Sequence, residues 1–181
     1  RAPSPGGGDT LIRLVEDARE AGQDITFDSY PYVYGSTRVL ILFPDWTHDG
    51  GPERLEEVLR SPEARERLRQ EIVPRSQSWH DMWLTYFKRP ENHKYEGQSI
   101  AYLAESRGVH PVDALCDVLL EEDLQTSFVM AGANGLSLPA FVSHPLSMVG
   151  SDALLVGDFP SPRTYGCFPV ILAEYVREEN Q

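Results

Sequence analysis

Residues 143–175 read SHPLSMVGSDALLVGDFPSPRTYGCFPVILAEY, and the opening third of this stretch decides which fold to expect. Leu146 to Gly150 is a short apolar run with the pattern of a buried strand, and it delivers Ser151 and Asp152 onto its C-terminal end. A loop rich in Pro and Gly follows. Phe168 to Arg177 then has the apolar spacing of a closing helix, with Pro169 at its first turn. Strand, loop and helix in this order make one α/β unit.

The same alternation recurs upstream. Asp9 or Thr10 is placed to cap a helix with Leu11, Ile12, Val15 and Ala18 on one face and Gly22 as its stop. Ile25 to Tyr30 alternates like a strand that Pro31 helps to end. Gly50-Gly51-Pro52 opens a helix with Leu55, Val58 and Leu59 on one side, and Ser61-Pro62 opens another with Ala64, Leu68 and Ile72. Val73 to Gly97 has weak periodicity but holds Trp79, Trp83, Tyr86, Phe87 and Tyr95, which reads as an irregular insertion. Ser99 to Arg107 predicts a helix ended by Gly108, and Pro111 starts a helix carrying Val112, Leu115, Cys116 and Leu119. Thr126 to Ala131 predicts a strand and Gly135 to Val142 a helix.

Such alternation implies a parallel sheet with helices outside it. A closed eight-stranded barrel needs roughly 200 or more residues. The 181 residues here, insertion included, fit either a small open α/β sheet or part of a barrel. The chain opens on Arg1 rather than Met, which points to a fragment, and the Pro/Gly-rich residues 1–8 read as a flexible N-terminal tail.

Hydrophobic residues at 41% and charged residues at 24% supply an ordinary globular core, so bulk disorder is not expected. The formal net charge of −12 repels a phosphate backbone, so no nucleic-acid partner is expected. No apolar run is long enough for a membrane span. Cys116 and Cys167 lie far apart without CxxC spacing, which suits reduced thiols and a cytoplasmic location.

In parallel α/β folds the working residues stand at the C-terminal ends of strands. Asp152 stands there as a general base or metal ligand, or merely caps the turn that follows. Arg163, in the next loop, can hold a carboxylate bidentately or form a structural salt bridge in so acidic a chain. The stretch Asp28 to Thr37 places Tyr30 and Ser36 at a strand end, as pocket lining or as a packed rim. His48, His80, His93, His110 and His144 are scattered, without HxH or HExxH spacing, and do not assemble a metal site.

Three stretches together resemble the N-acyl-D-amino-acid deacylase (D-aminoacylase) family of the amidohydrolase superfamily: ITFDSYPYVYGST at 25–37, GVHPVDALCDVLL at 108–120 and the 143–175 stretch. The pairing of DxYPYxxGS with GSD…PRxYGxFP is the more specific signal. The resemblance covers nearly the whole chain. It implies an α/β fold, the C-terminal portion of a (β/α)8 TIM-type barrel, formed by 9–38 and 98–181, with 39–97 as a helical, aromatic-rich lid insertion. It also implies zinc-dependent hydrolysis of N-acyl-D-amino acids. Asp152 would be the catalytic proton-transfer residue and a candidate metal ligand, Arg163 would hold the substrate α-carboxylate, and Tyr30 and Ser36 would line the pocket.

Two departures stand out. Ser161 occupies a position where the family commonly has His before Pro-Arg. The family's main zinc ligands and its flanking β-sandwich have no counterpart in this sequence, so the chain alone is expected to be inactive without its missing N-terminal barrel portion. Alternatives are a non-catalytic binding module for acylated amino acids, a related amidohydrolase acting on another D-amino acid derivative or a cyclic amide, and an interaction protein using Trp79 to Tyr95.

Overall fold

The structure is a computed structural model. It describes residues 7–73, 78–132, 135, 137–155 and 157–178. The chain forms two compact units, one drawn from Arg1–Gly35, Ala131–Leu155 and Ser161–Gln181, the other from Ser36–Met130 and Val156–Pro160.

In the first unit, helix α1 (Gly7–Glu20) precedes strand β1 (Phe27–Ser29). Of the expected tail, residues 1–6 lie outside the described residues, and Gly7 and Gly8 belong to the helix. The helix is therefore under way before Asp9 or Thr10. A Cβ on Gly8 would lie 2.4 Å from the Ser137 Cβ, so close packing against that segment accompanies its start. The apolar face Leu11, Ile12, Val15 and Ala18 is only half-buried. Helix α6 (Leu138–Val142) is shorter than the span expected from Gly135.

Strand β5 (Ser147–Val149) lies parallel to β1 in the register Phe27↔Ser147 and Ser29↔Val149. It is not the buried strand its composition suggests, because Met148 is 56% exposed. Helix α7 (Arg163–Val170) begins five residues before the expected Phe168, with Pro169 inside it rather than at its start. Pro169 brings no N–H to the helix and crowds the carbonyl of Tyr165, and the chain widens into a π-helix over Ile171–Glu178.

The second unit holds the larger core. Helix α2 (Gly51–Arg60) starts after Gly50, whose φ of 95° suits glycine, and buries Leu55, Val58 and Leu59. Ser61 ends it and caps α3 (Pro62–Glu71), its Oγ accepting from the Ala64 N–H at 3.2 Å. Ser99 caps α4 (Ile100–Arg107) in the same way through Tyr102, and Gly108 at φ 66° stops it. Helix α5 (Pro111–Glu121) buries Val112, Leu115, Cys116, Val118 and Leu119 completely. Arg69 binds Asp113 at 2.8 Å and Arg65 binds Asp117 at 2.7 Å, tying α3 to α5.

The insertion is more regular than its sequence suggests. Met82–Tyr86 forms strand β3, antiparallel to β4 (Ser127–Ala131), with Met82 opposite Met130 and Leu84 opposite Phe128. A register shift between Leu84 and Tyr86 buries both Leu84 and Thr85, which erases the period-two signal. With β2 (Tyr34–Arg38) the strand order is β2-β4-β3. The expectation of one parallel sheet is thus corrected, since β1 and β5 pair parallel while β3 and β4 pair antiparallel in a separate sheet. Residues 98–130 lie in the second unit with residues 36–97. The reason is that β4 finds its partner in β3, and α5 packs on α3 and α2.

Candidate functional site

Parallel pairing of β1 and β5 sends both strand ends the same way, so the residues that follow them share one lip. The Gly150 N–H continues the ladder by donating to the Ser29 carbonyl at 3.0 Å, and the Ser29 and Ser147 hydroxyls lie 3.2 Å apart. Tyr30 leaves β1 and Asp152 leaves β5 by way of Gly150 and Ser151. Asp152 adopts φ 44°, a left-handed conformation that Asp tolerates better than most residues.

Arg163 opens α7 and meets both. Its Nη1 donates to Asp152 Oδ2 at 2.8 Å, and its Cζ lies 4.3 Å from the centroid of the Tyr30 ring. The guanidinium-bearing side chain is 1% exposed, whereas that of Asp152 is 73% exposed. A fully charged group this deeply buried requires partners, and the carboxylate and the aromatic face supply two. The turn before it is held by the Thr164 N–H donating to the Ser161 carbonyl at 3.0 Å. The Ser161 hydroxyl is buried and has no hydrogen-bond partner among the described residues.

Of the residues singled out in the sequence, Tyr30, Asp152 and Arg163 therefore converge. Ser36 does not join them within the first unit. It lies half-buried in β2, in the second unit. Tyr32 was missed. Its phenol occupies the place a side chain on Gly166 would take, and burial, with the Cys167 and Glu174 charges behind it, pushes the phenol pKa up. No signal for it stood in the sequence, because Gly166 reads as part of the Pro/Gly-rich loop and only the structure places it inside α7. Burial likewise raises the Cys167 thiol, against the lowering effect of Arg163.

The histidines have structural or exposed positions. His110 Nδ1 accepts from the Val112 N–H, and His144 accepts from the Leu146 N–H, lies 3.3 Å from Glu16 and packs on Phe27. His48, His80 and His93 are exposed. Among the described residues no group of three or more His, Cys, Asp or Glu side chains is arranged to hold a metal ion. Among the described residues, these side chains do not make up a zinc site by themselves.

No protein-family model matches the chain. A curated relative, N-acyl-D-glutamate deacylase of Alcaligenes xylosoxydans xylosoxydans, is 28% identical over 168 residues, 91% of this chain and 26% of its own length. The chain resembles the N-acyl-D-amino-acid deacylases. The crystal structure of N-acyl-D-glutamate deacylase from Bordetella bronchiseptica, complexed with zinc and a phosphonate mimic of the tetrahedral intermediate, matches 97% of this chain and 29% of that one. Its TM-score is 0.68 at 24% identity. A D-aminoacylase with a binuclear metal centre matches 97% and 28% at a TM-score of 0.63 and 23% identity. The chain shares the α/β fold of these deacylases and spans about a quarter of the length of the curated relative.

Proposed function

We infer that a longer polypeptide carrying this chain is an amidohydrolase that splits N-acyl-D-amino acids into a carboxylate and a D-amino acid. The observation that carries this reading is the convergence of Asp152, Arg163 and Tyr30 where β1 and β5 end. In this reading residues 9–38 and 98–181 belong to the C-terminal portion of a TIM-type barrel and residues 39–97 are its lid-like insertion. Arg163, packed against Tyr30, binds the substrate α-carboxylate. A planar guanidinium with several N–H donors can keep Asp152 on one edge and take a ligand carboxylate on another.

Asp152 is the proton-transfer residue. It takes a proton from the attacking water and passes it to the amine nitrogen as the amide C–N bond breaks. Its exposure leaves the carboxylate accessible to water, and its bond to Arg163 at 2.8 Å orients it. The relatives are zinc enzymes or hold a binuclear metal centre, and zinc is the proposed cofactor of the whole polypeptide. Its ligands lie outside the described residues, so this chain alone is inactive. The buried, unpaired thiols of Cys116 and Cys167 favour a reducing, cytoplasmic setting.

The 28% identity to an N-acyl-D-glutamate deacylase favours an acidic D-amino acid as a second, narrower reading. The test is deacylation of N-acetyl-D-glutamate and N-acetyl-D-methionine, with added zinc, by this chain and by the longest natural polypeptide containing it. Activity in the longer protein alone, abolished by Asp152→Asn, is the expected result. Activity of the isolated chain, or none in the longer one, overturns the reading.

A further inference from the structure

We propose that Tyr32 and Gly166 form a lock that positions Arg163, with the Tyr32 hydroxyl seated in the space left by the missing side chain of Gly166. The proposal rests on the reading of Arg163 as the carboxylate-binding group and adds a positioning residue to it. A Cβ built on Gly166 would lie 1.9 Å from the Tyr32 Oη and 3.1 Å from its Cζ. These distances are well inside van der Waals contact, so only glycine at 166 admits the ring in this place. Glycine is second only to proline as a poor helix former, yet it stands in the middle of α7. The contact accounts for it.

Gly166 follows Arg163 by three residues and so lies about one turn along the same helix. Tyr30 and Tyr32 are separated only by Pro31, which is buried and has a fixed φ. One short, stiff segment therefore makes two contacts with α7. Tyr30 lies against the Arg163 guanidinium and Tyr32 fills the notch at Gly166. Two contacts one turn apart fix both the rotation and the axial position of the helix, which a single ring against a flexible arginine would not. A phenol is neutral near neutral pH and burial pushes its pKa further up, so Tyr32 packs without a charge of its own.

The experiment uses Gly166→Ala, alone and with Tyr32→Phe, in the longest natural polypeptide containing this chain. The added methyl meets the hydroxyl, and removing the hydroxyl relieves most of the overlap. In crystal structures, the Arg163 Cζ is expected to move from 4.3 Å to beyond about 6 Å from the Tyr30 centroid in Gly166→Ala, past the reach of a cation–π contact, and to return in the double variant. In the enzyme, KM for the N-acyl-D-amino acid is expected to rise about tenfold with kcat changed less than threefold, and to recover in the double variant. An N-acyl-D-amino acid amide, which lacks the α-carboxylate, is expected to show no such change.

An unmoved Arg163, or a KM that the second substitution fails to restore, overturns the proposal. If Gly166→Ala alone does not fold, a folded double variant with near-native KM supports the lock, and one with the raised KM overturns it. A polypeptide without deacylase activity overturns the functional reading instead, while the arginine displacement still decides whether the lock exists.

Discussion

Asp152 combines a backbone that most residues avoid with a carboxylate held by a buried arginine. Its φ of 44° is one that Asn shares with Asp at little cost, so Asp152→Asn removes charge and basicity without disturbing the bend. In the longer polypeptide kcat should fall by about 10²–10⁴, the usual contribution of a general acid–base group, with the melting temperature little changed. Cys116 is a second residue with a measurable signature. Burial among the apolar residues of α5 pushes its thiol up to about 12 from an ordinary value of 9.0. Below pH 9 folded and unfolded chains both keep the proton, and the stabilisation is fully present. Between pH 9 and about 12 only the unfolded chain ionises, so stability falls as pH rises, by at most about 1.4 kcal/mol per pH unit. Urea titrations from pH 8 to 11 measure this slope, and Cys116→Ala should flatten it.

At the scale of elements, the joint between α5 and the turn that follows β3 depends on one buried carboxylate. Glu122, wholly buried at the end of α5, accepts from the backbone N–H groups of Lys88 and Arg89 at 2.5 and 2.9 Å and from Asn92 Nδ2 at 2.5 Å. Its burial is tolerable because its oxygens are occupied by donors. Glu122→Ala leaves the Lys88 and Arg89 N–H groups without this acceptor and should cost about 3 kcal/mol, read as a lower urea midpoint with an unchanged slope. The surface pairs Arg54–Glu57 and Arg60–Glu56 are each well exposed, and removing either should change stability far less. Helix α7 shows the limits of reading elements locally. Pro169 signals a helix start in sequence, but the real start is set by Arg163 meeting Asp152 and Tyr30.

For the whole molecule, the first unit leaves apolar surface uncovered. Tyr165, Phe168, Leu172 and Val176, spaced by three or four residues through α7 and the π-helix, are 74%, 59%, 63% and 48% exposed. Met148 on β5 is exposed as well, and β1 and β5 pair only with each other among the described residues. Such a surface usually marks an interface. The isolated chain should bind a hydrophobic dye and run above its monomer mass on size exclusion, and it should retain well under one zinc per chain after dialysis. A dye-silent monomer with stoichiometric zinc contradicts both expectations. Among the described residues no helix is long and apolar enough to cross a membrane.

Helices α2 to α5 were legible from the sequence because their signals are local. Ser61, Ser99 and Gly108 cap or stop them, and apolar residues at helical spacing mark the face that is buried. The candidate site was legible as residue types at strand ends, in Tyr30, Asp152 and Arg163. Composition and spacing left Arg163 open between salt bridge and ligand, and it forms the salt bridge while standing at the strand ends. Tertiary structure alone decided which strands pair. β4 turned to β3 through a bulged, non-alternating strand, while β1 and β5 kept the parallel order. It also decided that Tyr32 fills the space beside Gly166. Caps and helical faces depend on neighbours a few residues away, which a sequence displays. Strand partners such as Met82 and Met130, and a side chain seated in a glycine's empty place such as Tyr32 beside Gly166, are far apart in sequence, and only the folded chain brings them together.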